Sequence, residues 1–181
     1  MSREYAFPKI MSDIDIKGLR KKLDMTQKEF AEVLGVSKPT VERWEKDGSQ
    51  IKGAETILFD LLIERPELLF QKKIQEKQYP LRLNYMYHDK VCATIDVDER
   101  NRRVFVNNYT NMVIYRPFGN VEEPTYEMYE EFLESRCFPK TRDKMKIELE
   151  MLGLPFYDPL LIIEKTQGKM EEDDFWIEIV R

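Results

Sequence analysis

The side chains best suited to bind a polyanion lie on one short predicted helix in the N-terminal third of the chain. Ser37 is a typical N-cap for this helix, and Val41 and Trp44 form its apolar face. The outer face carries these side chains: Lys38, Pro39, Glu42, Arg43 and Lys46. An exposed helix of this composition can enter the major groove of double-stranded DNA.

A second predicted helix precedes it and must hold it in place. Thr26 and Glu29 form a capping box, in which the Thr26 hydroxyl accepts from the Glu29 amide and the Glu29 carboxylate reaches back. Ala31 is small where the two helices would cross, and Gly35 can take the left-handed conformation of a tight turn. A capped helix, a glycine turn and a second short helix predict a helix-turn-helix.

Two further helices complete the predicted N-terminal domain. Ile16, Leu19 and Leu23 are spaced three and four apart, which predicts an apolar stripe on a first helix. A fourth helix is predicted over residues 52–64, with this buried face: Ile57, Leu58, Leu61 and Leu62. The basic cluster at residues 20–22 has two equally weighted explanations, contact with phosphate or plain solubility.

The composition limits the class of protein. The chain has 181 residues, 42% of them hydrophobic and 35% charged, which indicates a folded protein with a solvated surface. No apolar run approaches the roughly 20 residues that span a bilayer, and the first ten residues lack the apolar core of a signal peptide. We therefore expect a cytoplasmic protein. Two distant cysteines and one histidine argue against a metal site, and nothing in the sequence predicts a cofactor.

The formal net charge of −5 at first argues against a nucleic-acid ligand. Residues 1–79, however, carry 15 basic and 14 acidic side chains, a net of +1, whereas residues 80–181 carry 14 and 20, a net of −6. The periodicity changes from helical to strand-like at the same boundary. We therefore predict a helix-turn-helix domain over residues 1–70, a linker over 71–80 and an interaction domain over 81–181, whose acidic surface faces away from the DNA.

The second domain is predicted to be α+β with an antiparallel sheet. Apolar and polar residues alternate over residues 91–97, and further strands are predicted over 103–108, 112–116 and 175–180. Helices are predicted over these segments: 126–135, 144–152 with Thr141 as its N-cap, and one that begins at Asp158-Pro159 and stops before Gly168.

The second domain has no strong chemical signature. Residues 136–146 concentrate five basic side chains, Arg136, Lys140, Arg142, Lys144 and Lys146, which form either an anion site or a solvated helix start. The acidic run at residues 171–174 is better explained as a solvated loop than as a metal site, and His88 is expected in an exposed turn. Cys92 and Cys137 have no identifiable base nearby, so we expect no enzyme.

The segment from residue 19 to residue 48 resembles the XRE-type DNA-binding domain of the Cro and lambda-repressor family. The resemblance rests on these residues: Leu19-Arg20, residues 26–31, Leu34-Gly35-Val36-Ser37, Thr40-Val41 and Trp44-Glu45. The family implies a five-helix all-α fold, a homodimer and binding to an operator in double-stranded DNA. Pro39 departs from the pattern, since many relatives have a polar residue there, and a base contact is lost with it.

The resemblance assigns DNA contacts to these residues: Gln27, Lys28, Ser37, Lys38, Pro39, Thr40, Arg43 and Lys46. Contacts with the phosphate backbone are implied for Gln27, Lys28, Thr40 and Lys46. Contacts with base edges are implied for Lys38 and Arg43. Arg43 is the favoured base contact, because a guanidinium matches O6 and N7 of guanine. Glu42 and Glu45 would repel phosphate, so we expect them to point along or away from the groove.

Two further resemblances concern the biological role. Glu67-Leu68-Leu69, after Arg65-Pro66, resembles the antitoxin branch of the family, the MqsA-like regulators. Residues 132–180 resemble the N-terminal subdomain of HipA-type kinase toxins, through Asp158-Pro159, Leu160-Leu161, Ile163 and Gly168, without the kinase core. These resemblances imply the antitoxin and autorepressor of a toxin–antitoxin operon.

In that interpretation the second domain binds a toxin protein or a ligand, and its acidic balance suits a basic partner. No membrane partner is expected. Two alternatives remain open at this stage. One is a phage-type repressor whose second domain only dimerises, and the other is an enzyme or toxin domain fused to a helix-turn-helix, with its chemistry in residues 136–146.

Overall fold

The computed structural model describes residues 5–141 and 143–181. The chain divides into two compact units, Met1–Lys73 and Ile74–Arg181. No helix among the described residues is long and apolar enough to cross a membrane. The predicted linker over residues 71–80 straddles the division.

The first unit contains five α-helices and a short two-stranded ladder. Its elements are β1 (Met11–Ser12), α1 (Asp13–Lys22), α2 (Gln27–Leu34), α3 (Lys38–Trp44), β2 (Gln50–Ile51), α4 (Ala54–Glu64) and α5 (Glu67–Phe70). The expectation of an all-α domain is therefore wrong in one respect. Met11 pairs with Ile51 across the ladder, and both side chains are 5% exposed, so two apolar residues draw these segments together.

The core of this unit is built around Phe30 and Phe59, neither of which is exposed. Their rings stack with centroids 6.3 Å apart, and Trp44 meets Phe59 edge-on at 5.4 Å. Ile16 and Leu19 are buried in the same core, which confirms the apolar stripe predicted for α1.

The prediction for the buried face of α4 is confirmed for Leu62 and wrong for its other three residues. The helix buries Thr56, Phe59 and Leu62, which are spaced three apart. Ile57, Leu58 and Leu61, which were expected to be buried, are 40%, 44% and 40% exposed. The large ring of Phe59 sets the rotation of the helix by filling the space between Phe30 and Trp44, and this turns the aliphatic side chains outward.

The second unit is an antiparallel sheet with three α-helices, as predicted. Its elements are β3 (Leu81–Tyr87), β4 (Lys90–Asp98), β5 (Arg103–Asn108), α6 (Tyr126–Ser135), α7 (Met145–Leu152), α8 (Pro159–Thr166) and β6 (Phe175–Val180). The strand order is β5-β4-β3-β6, and every pairing is antiparallel. With these three, the described part of the chain has eight α-helices.

Two local predictions in this unit are wrong. Residues 112–116 do not form a strand, because Val113–Tyr115 folds as one turn of 3-10 helix. The helix predicted over residues 144–152 forms as Met145–Leu152, but its N-cap is Lys144 and not Thr141, and Lys144 makes no side-chain cap. The start predicted at Asp158-Pro159 is confirmed, since the Asp158 carboxylate accepts from the Leu161 amide at 3.0 Å.

One face of the sheet packs against the helices around fully buried Leu83, Ile95 and Ile177. The other face holds a buried ion pair, in which Arg82 Nε and Nη2 donate to Asp96 at 2.6 and 2.7 Å. The segment before β3 lies on this pair: the Gln78 amide donates to Asp96, and Arg82 donates to the carbonyl of Gln75. Residues 75–78 of the predicted linker are therefore fixed to the sheet.

Candidate nucleic-acid interface

The turn between α2 and α3 forms as its sequence predicts. The Glu29 amide donates to the Thr26 hydroxyl at 3.2 Å and the Thr26 amide donates to the Glu29 carboxylate at 2.7 Å, which completes the capping box. The hydrogen bond from the Thr26 amide to the carboxylate, and after it one from the Thr26 side chain, lower the pKa of Glu29. Gly35 ends α2 with a φ of 66°, in the left-handed region that glycine adopts without strain.

The start of α3 differs in one detail from the prediction. Ser37 occupies the N-cap position with extended backbone, but its hydroxyl makes no capping bond to an amide. It lies 2.9 Å from the hydroxyl of Thr40 instead. Pro39 lies in the first turn, where a missing amide hydrogen costs nothing, so the helix forms around it.

The two faces of α3 have different roles. Val41 is fully buried, whereas Pro39, Glu42 and Arg43 are exposed. Lys38 is bound to Glu42 one turn later, with Nζ–Oε1 at 2.9 Å, so its charge is partly neutralised on this surface. This pairing was not predicted.

Arg43 and Lys46 are the unpaired cations at this helix. Both are exposed, and within the described part of the chain neither side chain makes an ion pair or a hydrogen bond. Lys28, at the start of α2, is 76% exposed and only loosely paired, with Nζ 3.8 Å from Glu32. The structure thus leaves these three positive charges available at the two helices of the motif.

An internal ion pair fixes the end of α3. Glu45, the C-cap residue, is 7% exposed and accepts from Arg20 Nε at 2.6 Å and from Arg20 Nη2 at 2.9 Å. Arg20 also donates to the carbonyl of Met25 at 2.9 Å. The basic cluster at residues 20–22 was explained either by contact with phosphate or by solubility. Neither explanation describes Arg20, because its charge is paired with Glu45 inside the domain.

Gln27 belongs to the same network. Its Nε2 donates to Glu45 Oε2 at 2.9 Å, so the side chain assigned to phosphate is held by a carboxylate in this structure. The phosphate contact stays a prediction. Burial disfavours the charged form of Glu45, but the hydrogen bonds from Arg20 and Gln27 outweigh it and lower the pKa of Glu45. The hydrogen bond between Arg20 and Glu45 also raises the pKa of Arg20.

The network also removes a repulsive charge from the outer surface. Glu45 points into the domain and is neutralised there, which agrees with the expectation that it turns away from the groove. Sequence reasoning singled out both Arg20 and Glu45 as motif residues but did not pair them. Their separation of 25 residues leaves no local signal.

Residues 16–57 match the helix-turn-helix family model. This match supports an XRE-type helix-turn-helix in this segment and a DNA-binding transcriptional regulator. The matched range runs from α1 into α4 and contains α3 and the whole Arg20–Glu45–Gln27 network. Neither a curated protein nor a solved structure matches the chain. The second helix of a helix-turn-helix is its recognition helix, which in this chain is α3.

The anion site considered for residues 136–146 does not form from all five predicted basic residues, because two of them are paired with acids. Arg136 is 7% exposed and donates to both carboxylate oxygens of Asp173 at 2.6 and 3.0 Å, and to the carbonyls of Gly168 and Phe175. Lys140 is paired with Glu134. Arg142 lies outside the described residues. Lys144 and Lys146 are exposed.

The other candidate groups of the second unit are structural or exposed. Cys92 and Cys137 are both buried, and burial raises the pKa of the Cys137 thiol to about 12. Asp173 of the acidic run binds Arg136, and His88 lies in a turn with a φ of 51° and an exposed side chain. Among the described residues no group of three or more ligating side chains could hold a metal ion.

Proposed function

We propose that this protein is a sequence-specific transcriptional regulator that binds its operator as a homodimer and carries a second domain for a partner or ligand. One observation carries the proposal. The recognition helix presents Arg43 unpaired to solvent, and Lys46 is likewise unpaired just after the C-cap of that helix. Arg20 holds the neighbouring acid, Glu45, inside the domain.

The contacts follow from the chemistry of each exposed group. Arg43 has the planar fork of donors that fits O6 and N7 of guanine, so we assign it to base recognition. Lys46 and Lys28 are compact, mobile charges suited to phosphate. Lys38 can reach DNA only by giving up its bond to Glu42, so we expect a smaller contribution from it.

The rest of the charge distribution supports binding through a few placed contacts. Residues 80–181 have a net charge of −6, which opposes strong non-specific attraction to a polyanion. Specific recognition then depends on how accurately the domain holds the recognition helix. The Arg20–Glu45 ion pair and the bond from Gln27 perform that task.

A homodimer is part of the proposal because one recognition helix reads only a short half-site. Two copies that place their helices one turn of DNA apart, about 34 Å, read a palindrome. Ile57, Leu58 and Leu61 form an exposed aliphatic face on α4 of the same domain. We assign this face to the second copy.

For the biological role, we propose the antitoxin that represses its own operon in the cytoplasm, with the second domain binding the toxin and performing no catalysis. The support is the likeness of Glu67-Leu68-Leu69 to the antitoxin branch of the family, together with the acidic second domain, which suits a basic partner. A reporter fused to the promoter of the protein's own operon tests the role directly. Repression that requires the protein supports it, and unchanged expression contradicts it.

Selection of bound DNA from a random pool, at a stated salt concentration, tests the DNA-binding proposal. We expect a palindromic consensus with a guanine in each half-site and half-site centres about 10 base pairs apart. Enrichment of no sequence would contradict sequence-specific binding. A single unpaired half-site would contradict the homodimer.

A further inference from the structure

Half of the residues that line a cavity of about 530 Å³ in the second unit are acids. The cavity lies between α6, the turn after β4 and the start of α8. Six carboxylates line it: Glu99, Glu127, Glu130, Glu131, Glu134 and Asp158. The one basic residue in the lining, Lys140, is already paired with Glu134. The cavity therefore carries a large excess of negative charge.

A buried tyrosine whose hydroxyl has no hydrogen-bond partner lines the same cavity. Tyr129 lines the cavity and is 2% exposed, and its hydroxyl makes no hydrogen bond. A buried polar group left in this state destabilises the fold unless something binds it. Burial chiefly raises the pKa of Tyr129, and the charge of Glu99 raises it further, with smaller effects from Asp158 and Glu130.

The rim of the cavity already binds a guanidinium. Arg102 Nη2 lies 3.1 Å from a carboxylate oxygen of Glu127 and 3.1 Å from one of Glu130. Its guanidinium carbon lies 4.2 Å from the centre of the Tyr126 ring. Two acids and an aromatic face thus hold one organic cation at the edge of the same cavity.

We propose that this cavity binds an organic cation whose ammonium or guanidinium group donates a hydrogen bond to the Tyr129 hydroxyl. Glu99 and Glu131, which are exposed and make no ion pair within the described part of the chain, balance its charge. The six carboxylates repel an anion. A metal ion fits poorly, because no three ligating side chains of the described residues converge on one point. This assigns the second domain a class of ligand independently of whether the first domain binds DNA.

The N–H donors could come from a free polyamine or from a basic side chain of a protein, and calorimetric titration of the full chain at low ionic strength distinguishes them. Spermidine represents the free polyamine. The N-acetyl amides of lysine and arginine represent a protein side chain. Binding of spermidine alone points to a small effector, and binding of the amides alone points to a partner protein.

Two variants locate the binding site. Tyr129→Phe keeps the ring and removes only the hydroxyl, and should weaken binding about three- to tenfold. Glu99→Gln removes a carboxylate from an exposed turn and should also weaken binding several-fold. Glu172→Gln is the matched control, since it removes one exposed carboxylate outside the cavity lining. We expect it to bind as the wild type does.

The proposal fails if no probe binds, if both cavity variants bind as the wild type does, or if Glu172→Gln weakens binding equally. Circular dichroism on heating verifies that each variant folds. Should Tyr129→Phe fail to fold, Glu99→Gln decides alone, because that side chain is exposed and unpaired. Failure here leaves the DNA-binding proposal untouched, because the selection experiment measures a different domain.

Discussion

Arg20 on α1 and Glu45 at the end of the recognition helix are joined by two hydrogen bonds, Nε–Oε1 at 2.6 Å and Nη2–Oε2 at 2.9 Å. The pair connects the recognition helix to a helix that lies outside the two-helix motif. Gln27, at the start of α2, donates a hydrogen bond to the same Glu45 carboxylate. The orientation of the exposed face of the recognition helix therefore depends on a charge buried behind it.

Removing that charge should destabilise the first domain. Glu45→Gln leaves Arg20 largely buried without its ionic partner, and we expect the free energy of unfolding to fall by about 1–3 kcal/mol. Urea unfolding followed by Trp44 fluorescence measures it. Both proteins carry the substitution Trp176→Phe, which removes the only other tryptophan, so that the fluorescence reports on Trp44 alone.

Glu42→Gln is the control for this experiment. It removes an acid from the same helix, but Glu42 is exposed and its pair with Lys38 lies in solvent. We expect a change below about 0.5 kcal/mol. Equal effects of the two substitutions would mean that the Arg20–Glu45 pair has no special role in stability.

The contribution of Glu45 should depend on pH in a defined direction. Its pKa in the folded protein is lowered by Arg20 and Gln27 against the opposing effect of burial. The stabilisation is therefore complete above the unfolded-state value of about 4.3 and is lost as the pH falls through the folded-state pKa. The difference in unfolding free energy between wild type and Glu45→Gln should be full at pH 7 and shrink below about pH 4. A difference that stays constant down to pH 3 would contradict this assignment.

The lysines assigned to phosphate should affect the salt dependence of binding rather than its specificity. Lys28→Ala and Lys46→Ala should each reduce the slope of log K against log salt by about one, equally for all DNA sequences. Fluorescence anisotropy at several salt concentrations measures the slope. Arg65→Ala, which removes a surface charge already paired with Glu67, should leave it unchanged. Unchanged slopes for both lysine variants would exclude them as phosphate contacts.

The aliphatic face of α4 should be needed for the dimer. Leu58→Lys places a charge at a side chain that is 44% exposed in the single chain, and we expect the mass from light scattering to shift towards the monomer. Met151→Lys makes the same kind of change at a residue of α7 that is 79% exposed. It should leave the mass unchanged. A dimer that survives Leu58→Lys would place the interface elsewhere.

Local signals explain which parts of the fold could be predicted. The capping box at Thr26, the glycine turn at Gly35 and the start at Asp158 each depend on residues within a few positions, and all three are confirmed. The rotation of α4 about its axis could not be predicted from neighbouring residues. It follows from where Phe59 packs, and four aliphatic residues in the same stretch gave a competing pattern.

Long-range charge pairing limited the prediction of the site. Arg43 and Lys46 were predicted from their place on the outer face, and the structure leaves both exposed. Arg20 and Arg136 belonged to basic clusters that suggested an anionic ligand, yet each is bound to an acid 25 or 37 residues away. A cluster of like charges in sequence does not reveal opposite charges that the fold brings beside it.

The central claim is that Arg43 reads a base. The most direct test compares wild type, Arg43→Ala and Arg43→Lys for affinity to the selected operator and to its single-base variants. We predict that Arg43→Ala loses about 1–3 kcal/mol and no longer discriminates at one base pair of each half-site, while Arg43→Lys retains part of the affinity. Unchanged operator preference in Arg43→Ala would contradict the account.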